Sequence, residues 1–405
     1  MKKLMMMKMQ GLKKPIDKFT KKIEKLDPGN GKFAEFMDII SSEMEDMAFN
    51  DVKKDKAGNI VGTIKGHSDK DAMVMVSHVD VMPEIRKKME DFNDRGMARF
   101  KAGVISSLYA GALVKRCMLP LTGDLIVCCV PRHEYSDPGV KYLFDDFLKN
   151  RKDKIKGVML CEPTAFNINL GHKGRMEYEI VVRGKLKRNF LENRGMNMLG
   201  TMFPLISELE KVSKELPNDM NMGRSDLRIK DVLYRGYSAG DEINEFRVVV
   251  DRVFVPDENG GAILNKAKTI AKKVYSSEPE VTVRTMLAKE RFRTHTGLEM
   301  MSKKEFKPWI MEGHQPFATE SLKCLTENGF RSRFGFWKKI VTEGSYTCAE
   351  LKIPTIGFGA GDEDEIYTGD EKLNVRSIEK AVYGQALIVQ RNIGMPFFGW
   401  SSDSI

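Results

Sequence analysis

The sequence predicts an α/β protein: a mixed, mostly parallel sheet flanked by helices, with a smaller α+β domain inserted into it. Three observations predict this. AMVMVSH (72–78), DLIVCCV (124–130) and IKGVMLC (155–161) are short continuous apolar runs, the pattern of strands buried on both faces. Segments of helical period lie between them, which gives the β-α-β alternation of an α/β sheet. In the middle of the chain the runs give way to apolar/polar alternation, the pattern of a sheet with one covered face.

Residues 14–47 place Ile16, Phe19, Ile23 and Leu26, then Phe33, Phe36, Met37 and Ile40, at helical spacing. After the 72–78 strand, VISSLYAGALVKR (104–116) predicts a helix; VKYLFDDFLKN (140–150) predicts another after the 124–130 strand. In RMEYEIVVRG (175–184), Met176, Tyr178, Ile180 and Val182 share one face, so this strand is half exposed. A helix over about 198–214 follows, then an alternating strand EFRVVVDRVFV (245–255). Gly260 and Gly261 open a helix carrying Ile263, Ala267, Ile270 and Val274, and EVTVRTML (280–287) is a further strand. The earlier style returns with the buried strand IPTIGFG (353–359) and a last helix (376–391). The predicted domains are residues 1–174, the first part of the main α/β domain; 175–289, the insertion; and 290–405, the second part with a tail of no clear pattern.

Composition bounds the function. The chain has 405 residues, 41% hydrophobic and 30% charged, with only 15 prolines, enough for a sizeable core and against long disorder. Its net charge of +9 raises the question of an acidic partner. Lys and Arg are interleaved with Asp and Glu throughout, and no RNA-binding signature is present, so nucleic acid is not expected. The six cysteines form no C-x-x-C pair and predict reduced, buried thiols in a cytoplasmic protein. Lys8 interrupts the apolar start and no cleavage site follows, so no signal peptide is read; no stretch approaches the roughly 20 apolar residues of a membrane span.

Sites in open α/β sheets form beyond the carboxyl ends of the strands. His78, Asp80, Arg132, His133 and Glu162 all fall there. His78 and Asp80 stand one residue apart at the end of an apolar run, where one side chain can ligate a cation and the other brace it.

VSHVDVMP (76–83), GMARFKAGVISSLYA (96–110), CEPT (161–164), GHKGRMEYEIVVRGK (171–185) and EGSYTCAELKIPTIGFGAGDEDEIYTGDE (343–371), in this order, resemble the motifs of the acetylornithine deacetylase, succinyl-diaminopimelate desuccinylase and aminoacylase family of di-zinc metallohydrolases. The resemblance covers about residues 15–392 and implies a zinc-exopeptidase-like main domain with an inserted lid that the family uses for pairing. It implies hydrolysis of linear amide bonds by two zinc ions, which activate a water between them. Residue by residue, it makes His78 a metal ligand, Asp80 its orienting acid and Glu162 an acidic ligand. The remaining roles meet the wrong side chains. Arg99 stands at the bridging carboxylate, Arg132 and His133 at the paired glutamates, Tyr367 at the late histidine ligand and Arg188 at the lid histidine. Glu134 comes one position late for the base.

A guanidinium adds a cation that does not deprotonate where a metal needs an anionic donor. At about 4 Å from a divalent ion, with an effective dielectric of about 20, it repels that ion by about 8 kcal/mol. The leading expectation is therefore a pseudoenzyme with no cofactor, in which Arg99 and Arg132 pair the leftover acids Asp80 and Glu162. The expected role is binding or scaffolding: a homo-oligomer through the lid, or a complex with another protein, with an acidic small molecule as possible cleft ligand of Arg99, Arg132 and Arg188. The alternative is an active hydrolase holding one zinc at partial occupancy on His78 and Glu162, with Asp80 and Glu134 catalytic and His133 as ligand or base. His295, where the chain re-enters the main domain, is a cleft candidate. Cys161 and Cys129 near His133 are candidate nucleophiles, with buried structural thiols as the plainer expectation.

Overall fold

A computed structural model describes residues 2–26, 28, 32–68, 70–80, 97–185, 198–235, 243–279, 281–366 and 373–395. Contacts divide the chain into two compact units. The first comprises Met1–Gly171, Phe292–Met300 and Trp309–Ile405; the second comprises His172–Arg291 and Met301–Pro308.

The first unit is a mixed, mostly parallel sheet flanked by helices. Its early strands are β1 (Asp51–Lys54), β2 (Ile60–Ile64), β3 (Ala72–Asp80), β4 (Leu125–Arg132), β5 (Ile155–Leu160) and β6 (Ile168–His172). The sheet runs β1-β2-β4-β3-β5, then the strand Thr355–Gly357, then β6 and Trp309–Ile310. β3 pairs parallel with both β4 and β5, and Thr355–Gly357 pairs parallel with β5. Every residue of β3 and β4 is buried, as continuous apolar runs require of central strands. The helices are α1 (Lys2–Gln10), α2 (Lys13–Glu24), α3 (Phe33–Asp46), α4 (Ala102–Arg116), α5 (Pro138–Tyr142) and, later in the chain, Pro316–Glu327, Gly344–Thr347 and Val375–Ile393.

Several elements had no counterpart in the sequence prediction. α1 is one, and the β1-β2 hairpin another, because DVKKDKAGNIVGTI is too charged and too rich in turn residues to read as a strand pair. The 140–150 helix breaks after Tyr142 into a π turn and then a 3-10 segment.

The second unit is an antiparallel sheet with two helices on one face. β7 (Gly174–Lys185) lies between Ile243–Phe254 and Val281–Leu287, and Asp226–Arg235 pairs with Ile243–Phe254 at the edge. Met176, Tyr178, Ile180 and Val182 of β7 join Phe246, Val248 and Val250 against Leu205 and Leu209 of α6 (Met198–Lys214) and Ala267 and Ala271 of α7 (Gly260–Val274). This is the face that the alternation predicts. The charged residues between them pair among themselves: Arg175 with Asp251 at 2.7 Å, Arg183 with Glu245 at 2.6 Å, Arg247 with Glu179 at 3.0 Å and Lys230 with Glu177 at 2.6 Å. Asn259 caps α7, its side-chain oxygen accepting from the Gly261 and Ala262 amides.

Candidate functional site

Register brings the site together. Asp80 lies beside Arg132 across β3 and β4, with His78 beside Val130. The Cys161 amide donates to the Val76 carbonyl at 2.8 Å, which sets Glu162 beyond the end of β5 next to His78. A fourth residue comes from far along the chain. Glu343 occupies the position before the helix Gly344–Thr347, with no side-chain capping hydrogen bond, and is fully buried. Its position depends on the next residue, because a Cβ at Gly344 would stand 2.2 Å from the Trp309 indole.

The two nitrogens of His78 face different acids. Nε2 lies 3.6 Å from Asp80 Oδ1; Nδ1 lies 2.5 Å from Glu162 Oε1 and 3.9 Å from Glu343 Oε1. The His78–Glu162 contact is within hydrogen-bond distance, and either atom can carry the shared proton, depending on the tautomer. Arg132 enters the same space. Its Nη1 is 3.3 Å from His78 Nδ1 and 3.5 Å from Glu343 Oε1. Glu343 accepts a hydrogen bond from this Nη1. Burial raises the Glu343 carboxyl above its usual range; Arg132 and His78 oppose the shift, and Glu162 adds to it. Asp137, also buried, is pushed up to about 6 by desolvation, against the pull of Lys141 and with a contribution from Glu343.

His133 and Glu134 lie in a turn after β4, closed by the His133 amide on the Ser136 carbonyl at 2.9 Å. The His133 ring packs at a tilt against Phe292, 4.1 Å between centroids, and Glu134 is exposed. His295 packs against Phe33 at 5.2 Å, and its ring fills the space above Gly58. Neither histidine is among the described groups that could hold a metal, which number one: His78, Glu162 and Glu343, with ligand atoms within 4.8 Å of one another. Burial pushes the Cys129 thiol up to about 12 and the Cys161 thiol well above its ordinary value, the reverse of what a thiolate nucleophile needs. Tyr367, Arg188 and the side chain of Arg99 lie outside the described residues. Glu343 had no assigned role in the sequence reading; the signal available was an acid beside a glycine, ten positions ahead of the predicted buried strand at 353–359.

Residues 74–391 match the model of peptidase family M20/M25/M40. Among individual proteins, the chain is 26% identical over 350 residues to the uncharacterized protein YgeY of Escherichia coli K12, covering 82% of this chain and 83% of that one. It is 20% identical to an uncharacterized metallohydrolase of Methanocaldococcus jannaschii, covering 76% and 80%. Its fold is similar to that of the di-peptidase Dug1p of Saccharomyces cerevisiae, with TM-score 0.70, 12% identity and 96% and 98% of the two chains covered. It is also similar to Bacillus subtilis YXEP, a dinuclear metal-binding peptidase from the M20 family, with TM-score 0.66, 12% identity and 94% and 98% covered.

The described residues do not fit a two-metal centre. They supply one imidazole and two carboxylates, and a guanidinium stands within hydrogen-bond range of two of those three groups. Donors around a tetrahedral zinc with bonds of about 2.0–2.1 Å lie about 3.3 Å apart. The His78–Glu162 contact at 2.5 Å is tighter than that and the His78–Glu343 separation at 3.9 Å is wider.

Proposed function

The chain belongs to peptidase family M20/M25/M40, and on that premise we propose that it is a homologue without two-metal hydrolysis, working as a binding or scaffolding subunit. The observation that carries this is the Arg132 guanidinium, 3.3 Å from His78 Nδ1 and 3.5 Å from Glu343 Oε1. Hydrolysis of an amide needs a water activated by a metal or a base within reach. Here His78 Nδ1 lies 2.5 Å from Glu162 and Arg132 Nη1 3.5 Å from Glu343, while of the base candidates Glu134 is exposed in a turn and the His133 ring packs on Phe292. Association through the inserted domain, or with another protein, is the role proposed for the frame that remains. Six free cysteines fit a reducing compartment such as the cytoplasm, and among the described residues no helix is long and apolar enough to cross a membrane.

A second reading is a one-metal amide hydrolase. It is favoured by the burial of all three donors, His78, Glu162 and Glu343, within 4.8 Å of one another. Elemental analysis of native protein purified without chelator separates the two, together with assays on dipeptides and N-acyl amino acids in added zinc, manganese or cobalt. Metal-free, inert protein that retains a partner in a pull-down supports the first reading. Stoichiometric metal with turnover overturns it in favour of the second.

A further inference from the structure

We propose that Arg132 is a resident counter-cation of a latent one-metal site. Its guanidinium does the electrostatic work of an ion for His78, Glu162 and Glu343, and its removal opens those three side chains to a single divalent metal. The inference rests on the metal-free reading above and goes further, because it names the residue that excludes the ion and a ligand, Glu343, that the family resemblance did not assign.

Three observations carry it. The donor chemistry is that of a zinc site: one imidazole nitrogen and two carboxylate oxygens, all buried and within 4.8 Å. The ring has a second support, with Asp80 Oδ1 3.6 Å from Nε2, so the nitrogen facing the cluster is Nδ1. The charge within the cluster also needs a cation. Two buried carboxylates facing one imidazole are costly unless compensated, and a compensating charge stands beside them in Arg132, whose Nη1 lies 3.5 Å from Glu343 Oε1 and 3.3 Å from His78 Nδ1. A guanidinium and a divalent ion are therefore alternative occupants of one space, and both do not fit. Small movements separate the two states: His78 and Glu162 part from 2.5 Å, and Glu343 closes from 3.9 Å, toward the ~3.3 Å spacing of zinc ligands.

The test is calorimetric titration with zinc chloride, and thermal unfolding with and without zinc, on full-length native protein, Arg132→Gln and Arg132→Gln/Glu343→Gln. Native protein should take up no zinc. Arg132→Gln should take up one ion per chain, with a zinc-dependent rise in melting temperature. The double variant should bind at least about tenfold more weakly. Because Arg132→Gln leaves buried negative charge behind, folding that depends on zinc, followed by circular dichroism, is an equally supportive result. Uptake of zinc by native protein and by Arg132→Gln with equal affinity overturns the exclusion. Failure of folded Arg132→Gln to bind zinc, failure of the variant to fold even in saturating zinc, or undiminished binding by the double variant overturns the latent site. Each of these leaves the native protein's lack of hydrolysis standing, whereas turnover by native protein removes the functional reading itself.

Discussion

A carboxyl group shut away from water keeps its proton to a higher pH, and Asp137 does so to about 6, chiefly through burial. In the unfolded chain it titrates near 3.9. Between those values the native state binds the extra proton, so this contribution to stability is full below about pH 4 and is lost as pH rises through about 6. The change is on the order of 3 kcal/mol at neutral pH. Asp137→Asn should therefore flatten the fall in urea stability between pH 4 and 7, and a variant with the native slope would refute the assignment. The buried thiols give a second expectation at this scale. Cys128, Cys129 and Cys161 are fully covered, and burial raises all three. A thiol reagent at pH 8 should label them only in denaturant; rapid labelling of any of the three in the native protein would contradict that burial.

Among the elements, the contact between His295 and the turn at Gly58 is the most sharply defined. Gly58 has φ of +87°, and a Cβ there would stand 2.0 Å from His295 Cε1. Gly58→Ala incurs both a left-handed backbone and a clash, for a loss of roughly 1–3 kcal/mol in chemical denaturation. Adding His295→Ala removes the clash and leaves the backbone strain, so the double variant should recover part of the loss. Strict additivity of the two substitutions would show that the ring does not press on the turn. In the second unit, Asn259→Ala should cost about 1 kcal/mol by removing the acceptor for two amides at the start of α7. Equal stability of the variant and the native protein would mean that water replaces the cap.

At the scale of the molecule, the described residues form two apolar cores, one in each unit. Val248→Ala, at a fully buried position of the second core, should lower one calorimetric transition and leave the other in place. A single transition that moves as a whole would show the two cores to be cooperative. The central strands were legible because burial on both faces writes itself as unbroken apolar runs, and β7 because one-sided burial writes itself as alternation. The β1-β2 hairpin was not legible, since Asp51, Lys53, Lys54, Asp55 and Lys56 hide it. His78, Asp80 and Glu162 were visible as chemistry at strand ends. Glu343 was not, because what makes it part of the site is three-dimensional: the close approach of Trp309 to Gly344 and the reach of Arg132. The strand order also bears on how the protein is made. Thr355–Gly357 lies between β5 and β6, yet it leaves the ribosome only after the whole second unit. Until then β5 presents an open edge to every other nascent chain, so synthesis of this protein should depend on chaperones far more than its finished stability would suggest.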